Sequence, residues 1–174
     1  MQDASHFLYG RFMEDPLKLA LQIAIRALAR RDRSSAELQD YLVQKEVLKE
    51  HAAATVQRVQ TMGYVNDEKL RQGLARSTAS SRRGPGHLWA KLTKRGIPTS
   101  RQDAAKLYAD ALGTESSSGE TEKEIIEREG ERMWVSVSRR ETDVRKARQK
   151  VAARLIRRGF SQSLVFDVCA RYGR

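Results

Sequence analysis

Apolar residues recur every three or four positions over most of this chain, which is the spacing that one face of an α-helix produces. The first such segment begins at Asp15-Pro16, a typical helix start because proline fits the first helical position. The segment is therefore predicted to be an amphipathic helix. Its predicted inward face contains Leu17, Leu21, Ala24, Ile25 and Leu28.

Two more helices are predicted directly after it. Ser34 and Glu37 have the spacing of a capping box, so a second helix is predicted over 35–46. A third is predicted over 49–62 and ends at Gly63, since glycine adopts the left-handed conformation that closes a helix. The residues predicted to be buried on these two helices are Leu38, Tyr41, Leu42, Ala53, Val56 and Val59.

A second group of three helices is predicted between 66 and 113. Asn66 and Ser100 are predicted to cap its first and third helices. Gly84-Pro85-Gly86 is predicted to be a sharp corner that ends the first helix and starts the second. The polar, acidic and Ser/Gly-rich stretch 114–122 then predicts a loop or linker, and helical spacing resumes from 123.

One sequence frame occurs three times, in "ELQDYLVQKEV" (37–47), "HLWAKLTKRGI" (87–97) and "KVAARLIRRGF" (150–160). Gly96 and Gly159, with Glu46 in the first copy, are predicted to be left-handed helix stops followed by an apolar residue that folds back. The repeat predicts an all-α protein, an elongated stack of three tandem three-helix repeats. The predicted boundaries are an N-terminal extension 1–15, repeats over 16–63, 64–113 and 123–174, and the acidic loop 114–122.

The net charge of +11 is unevenly distributed along the chain. Residues 71–106 contain nine Lys and Arg against Asp103 alone, a balance of +8, and residues 139–174 contain eleven against three acids, again +8. Residues 107–138 contain three against eight, a balance of −5. The acidic run 120–131 is interpreted as a solvated surface, with the alternative that it screens the basic faces when no partner is present. Two basic blocks separated by an acidic one favour a polyanion or an acidic protein as partner.

Other functional classes find little support in the sequence. No phosphate-binding loop motif occurs, the three histidines are far apart and Cys169 is the single cysteine, so no enzyme, cofactor or metal site is expected. No stretch approaches the roughly 18 apolar residues of a membrane span. The lone cysteine and the absence of a secretory signal favour the cytoplasm.

Four blocks resemble the RecX family of bacterial recombination regulators: "ARRDRSSAEL" (29–38), "GYVNDEKL" (63–70), "SRRGPGHLWAKLTKRGI" (81–97) and "LIRRGFS" (155–161). The resemblance implies a curved stack of three-helix repeats that binds RecA filaments along their groove, lowers recombinase and ATPase activity, and can also touch DNA. Two departures from the family pattern are Glu46, where glycine is common, and the longer acidic loop.

Two hypotheses follow for the basic residues, beside the simpler interpretation that they only cover polar helix faces. In the first, a cytoplasmic monomer binds a RecA filament on single-stranded DNA, inhibits it, and so tunes recombination, DNA repair and the SOS response. In the alternative, the protein binds DNA by itself without sequence specificity, and its affinity falls steeply with salt. The predicted contact residues are Arg82, Arg83, Lys91, Lys94, Arg95, Lys150, Arg154, Arg157 and Arg158.

Overall fold

The computed structural model of the protein describes residues 15–115 and 121–173, and every regular element within them is an α-helix. This confirms the predicted all-α class. None of the helices among these residues is long and apolar enough to cross a membrane. The helices are α1 (Pro16–Leu28), α2 (Ser35–Gln44), α3 (Lys49–Thr61), α4 (Asp67–Ser80), α5 (Pro85–Lys94), α6 (Arg101–Glu115), α7 (Glu122–Ser138), α8 (Val144–Arg157) and α9 (Gln162–Cys169).

The predicted helix starts are present. The Asp15 carboxylate accepts a hydrogen bond from the Leu17 N–H at 3.0 Å, and Pro16 occupies the first turn of α1. Ser34 and Glu37 form both hydrogen bonds of a capping box at the start of α2. These caps satisfy N–H groups that have no acceptor within the helix.

The chain forms two compact units. Of the described residues, the first contains 15–70 together with Arg95–Ile97. In it α1, α2 and α3 pack against one another around a core that includes Leu38, Leu42 and Val59.

Three of the five residues predicted to face inward on α1 do so: Ala24 is buried, and Leu21 and Leu28 are partly buried against the core. Leu17 and Ile25 are 36% and 42% exposed. Ala20 and Ala27, which were not predicted, complete the buried face with Ala24. Apolar residues occur on both sides of α1, so hydrophobic spacing alone could not tell which of them pack. On α3, Val56 and Val59 are buried as predicted, whereas Ala53 is exposed and its neighbour Ala52 is buried instead.

The second unit contains Arg71–Lys94 and the chain from Pro98 onwards. Here α5 packs on α6, and α7, α8 and α9 pack against one another. Leu88 and Leu92 of α5 occupy the positions of Leu38 and Leu42 in the repeated frame and are fully buried, as are Val151 and Leu155 of α8.

Helix covers both ends of the predicted acidic loop. α6 continues past Gly113 to Glu115, and α7 begins at Glu122 with Thr121 as its cap. The capping box that Thr121 forms with Glu124 explains the early start of α7. Positions 116–120 lie outside the described residues.

The three predicted helix stops adopt the left-handed conformation, with φ of 63° at Glu46, 67° at Gly96 and 89° at Gly159. After the first stop, the Val47 N–H donates to the Leu42 carbonyl at 3.1 Å, which closes the helix end. A further non-glycine residue, Arg82, has φ of 51°, which the sequence did not predict.

Candidate partner-binding surface

The Gly84-Pro85-Gly86 corner is in direct backbone contact with the end of α8. The Gly84 N–H donates to the Arg158 carbonyl at 3.0 Å, and the Gly86 N–H donates to the Gly159 carbonyl at 2.9 Å. A Cβ atom on Gly84 would overlap the Gly159 carbonyl group, so only glycine allows this approach. We call Gly84, Gly86 and Gly159 the glycine junction; it fixes the start of α5 against the end of α8.

Two basic helices therefore meet within the second unit. Lys94 on α5 is exposed and Lys91 is partly exposed, whereas Leu88 and Leu92 on the same helix face the core. On α8, Arg154 and Arg157 are exposed in the last turn, where cations also interact favourably with the helix dipole.

A buried carboxylate lies beside this junction. The Glu129 side chain on α7 is 7% exposed, and its two oxygens accept hydrogen bonds from Arg82 at 2.9 Å and from Arg158 at 2.6 Å. Arg132 approaches the same carboxylate at 3.4 Å. Burial acts to raise the pKa of Glu129, but the bonds and charges of these arginines outweigh it and hold the pKa below its usual value.

Glu129 corrects the interpretation of the acidic run 120–131 as a solvated surface. It lies four residues after Ile125 and three after Ile126, so it belongs to the buried stripe of α7. That spacing was visible in the sequence, but the partners of the carboxylate come from distant segments and were not.

The nine predicted contact residues separate into two groups. Four make ion pairs within the protein: Arg82 and Arg158 with Glu129, Arg95 with Glu37, and Lys150 with Glu141. The other five form no ion pair with the side chains that the structure describes. These are Arg83, Lys91, Lys94, Arg154 and Arg157.

The side chain of Arg95 makes its hydrogen bonds within the first unit. Its guanidinium donates to the Glu37 carboxylate at 2.9 and 3.1 Å and to the Asp32 carbonyl at 2.6 Å. Its own carbonyl accepts from the buried Ser34 hydroxyl. Arg95 was predicted to contact a partner, yet its side chain bonds to Glu37 and Asp32 at the start of α2.

The pKa of His87, on the first turn of α5, is affected by burial and by nearby positive charges. Burial first, and then the charges of Arg83 and Lys91, lower the pKa of its imidazole below the ordinary value. The neutral ring is thus favoured in a neighbourhood that would attract an anion.

No cluster of potential metal ligands occurs in the part of the chain that the structure describes. The fold and the surface together define a helical-repeat protein that presents cations on its second unit.

Comparison with known proteins identifies the family. The model of the first three-helix domain of RecX matches residues 20–58, and the model of its third three-helix domain matches residues 120–169. The regulatory protein RecX of Mycolicibacterium vanbaalenii is 30% identical over 154 residues, which are 86% of this chain and 79% of that protein. The chain belongs to the RecX family.

A second relative and a solved structure are similar to this chain over most of its length. The regulatory protein RecX of Stenotrophomonas maltophilia is 28% identical and the alignment spans 92% of this chain and 91% of that protein. The crystal structure of RecX from Lactobacillus salivarius superposes with a TM-score of 0.70 at 18% identity, over 90% of this chain and 96% of the other. At that identity, the structural likeness concerns the fold.

Proposed function

We propose that this protein binds a RecA recombinase filament on single-stranded DNA and inhibits its ATPase and strand-exchange activity. The observation that carries the proposal is the surface of the second unit, where α5 and α8 present Lys91, Lys94, Arg154 and Arg157 without a carboxylate partner among the described residues. Membership in a family of regulatory proteins supports the same function.

The glycine junction supports a defined contact rather than a diffuse one. It orders the two basic helices before any partner arrives, so less conformational entropy is lost on binding. Several weak charge contacts on one rigid unit then strengthen each other, because each later contact is intramolecular. We propose that such binding restrains neighbouring recombinase subunits during ATP hydrolysis, and that the protein acts as a monomer in the cytoplasm.

The experiment is a titration of single-stranded-DNA-dependent ATP hydrolysis by the recombinase of the same bacterium. Inhibition well below one molecule per recombinase subunit is expected for the wild type. The variant Lys91→Glu/Lys94→Glu should raise the concentration needed for half-inhibition about tenfold or more, since each reversal replaces an attraction by a repulsion. Unchanged inhibition by this variant would overturn the assignment of α5.

The choice of variants follows from the ion pairs. Reversal of Arg95 would break its bonds to Glu37 and disturb the first unit, so Arg95 is left intact. A matched control is Lys49→Glu/Lys69→Glu, two exposed lysines of the first unit. The control variant carries the same change in charge and should inhibit almost as well as the wild type.

The alternative is a protein that binds DNA alone and inhibits hydrolysis only by covering the strand. The five cations without ion pairs favour it as well, because phosphates would satisfy them. In that case, tight and salt-sensitive DNA binding would occur without recombinase, and inhibition would track the fraction of DNA covered.

A further inference from the structure

A cavity of about 750 Å³ lies within the second unit, between α5, α6, the end of α8 and the start of α9. This volume is in the range typical of small-molecule sites, about 300–1,000 Å³. None of the residues that line it is an aspartate or glutamate. Arg101, Arg157 and His87 all contribute to its wall, so the ionisable side chains that line it are basic.

One wall of the cavity is flat. The guanidinium of Arg101 stacks over the Trp89 ring at 4.3 Å from the ring centre, and the Trp89 N–H donates to the Thr99 carbonyl at 3.1 Å. The hydrogen bond holds the indole in place, and the indole in turn orients the exposed guanidinium. Such a stacked plane is suited to a nucleobase, because bases stack on both aromatic rings and arginine planes.

A second part of the cavity wall carries hydrogen-bond donors. Ser161, Gln162 and Ser163 at the start of α9 line it beside Arg157. The Ser161 hydroxyl is buried and has no hydrogen-bond partner among the described residues, and α9 has no side-chain cap. The Ser161 N–H is bound to the Glu122 carboxylate at 2.9 Å and the Ser161 hydroxyl is shielded from solvent, so the donors left for a ligand here are the exposed side chains of Gln162 and Ser163.

We propose that this cavity binds one nucleotide unit of a single-stranded DNA, with the base on the Trp89–Arg101 stack and the phosphate between Arg157 and the start of α9. An acidic peptide would satisfy the cations but offers no flat group for the stack. The site shares Arg157 with the surface that we assign to the filament, but it does not include Lys91 or Lys94. It is tested without recombinase, and its failure would leave the two lysines of α5, on which the test of the proposed function rests, unaffected.

The test measures binding of the full-length protein to a fluorescent oligothymidylate of about ten nucleotides by anisotropy at several salt concentrations. Arg101→Lys keeps the charge but removes the plane, and should weaken binding about fivefold or more with an unchanged salt dependence. Arg157→Gln removes a phosphate contact, and should weaken binding and reduce the salt slope by about one.

A third variant and a control address the cavity itself. Ala105→Phe places a neutral ring in the cavity from an exposed position of α6, and should weaken binding with no change in net charge. Arg145→Gln removes an exposed cation from the start of α8, away from the cavity, and should change affinity about twofold or less. Circular dichroism checks that each variant is folded.

Competition distinguishes the sources of the anion. Thymidine monophosphate should displace the oligonucleotide at lower concentration than inorganic phosphate, because only the nucleotide carries a base. Wild-type affinity in both Arg101→Lys and Ala105→Phe would overturn the proposal. Equal displacement by inorganic phosphate, or better displacement by polyglutamate, would also overturn it and point to a simple anion or an acidic peptide.

Discussion

Glu129 is the side chain whose loss should harm the second unit most clearly. We consider the substitution Glu129→Gln, which keeps the shape and one acceptor but removes the charge. In the wild type, the carboxylate accepts hydrogen bonds at 2.9 Å from Arg82 and at 2.6 Å from Arg158. The change therefore leaves two arginines, from segments far apart in sequence, without their shared counter-charge.

The magnitude follows from the exposure of the partners. Hydrogen bonds to charged groups contribute about 1.5–3 kcal/mol each. The arginine side chains are 44% and 40% exposed, so water solvates them after the substitution and offsets a large part of that loss. We expect the free energy of unfolding to fall by about 2 kcal/mol, less than the roughly 3–5 kcal/mol of a fully buried pair.

The measurement is urea unfolding followed by circular dichroism, with Glu127→Gln as the control. Glu127 lies on the same helix and pairs with Arg171 at 3.1 Å, but this pair is on the surface. Its loss should cost about 0.5 kcal/mol or less. Equal costs for the two variants would refute the reasoning that burial makes Glu129 special.

The difference in the free energy of unfolding between the wild type and Glu129→Gln should depend on pH. The pKa of Glu129 is lowered in the folded protein, so below about pH 4.5 the unfolded chain binds a proton that the folded one does not. The stability that Glu129 contributes is thus complete above that pH and is lost as the pH falls through its lowered folded pKa. The wild type and Glu129→Gln should approach equal stability in acid, and a constant difference down to low pH would contradict the assignment.

Three further outcomes are expected in the same unfolding assay. Glu46→Gly should stabilise the protein by about 0.5–1 kcal/mol, because φ is 63° there and glycine tolerates it; destabilisation would contradict this. Gly159→Ala should destabilise by about 2 kcal/mol or more, since φ is 89° and a Cβ would overlap the His87 N–H; a neutral effect would show that the junction is loose. Ser34→Ala should cost about 1–2 kcal/mol through the lost cap and the lost bond to the Arg95 carbonyl, and a loss below about 0.3 kcal/mol would argue against that network.

Local signals in the sequence were sufficient for the helices and their ends. The capping box at Ser34 and the stops at Glu46, Gly96 and Gly159 depend on neighbours within about six residues, so the chain itself specifies them. Glu46 shows that the position in the repeat, rather than the residue type, determines the conformation, because glutamate takes up the left-handed geometry that glycine has in the other copies.

Packing faces were harder to predict. On α1 a row of alanines is buried with Leu21 and Leu28 packed beside it, whereas Leu17 and Ile25 are exposed although they share the helical spacing. The alanine row is buried because small side chains permit close approach of the neighbouring helices, a preference that depends on the partner helix and not on α1 alone. Hydrophobicity ranked the larger residues first, and so Leu17 and Ile25 were assigned inward.

The candidate surface was predictable as a charge but not as a set of available side chains. Arg83 and Arg95 look alike in sequence, yet Arg95 is held by Glu37, which is 58 residues away. Arg158 similarly belongs to Glu129, while its neighbour Arg157 makes no such pair with the described residues. A carboxylate that is remote in sequence thus decides which cation supports the fold and which is left for an anionic partner, and this division directs mutagenesis to Arg83, Lys91, Lys94, Arg154 and Arg157.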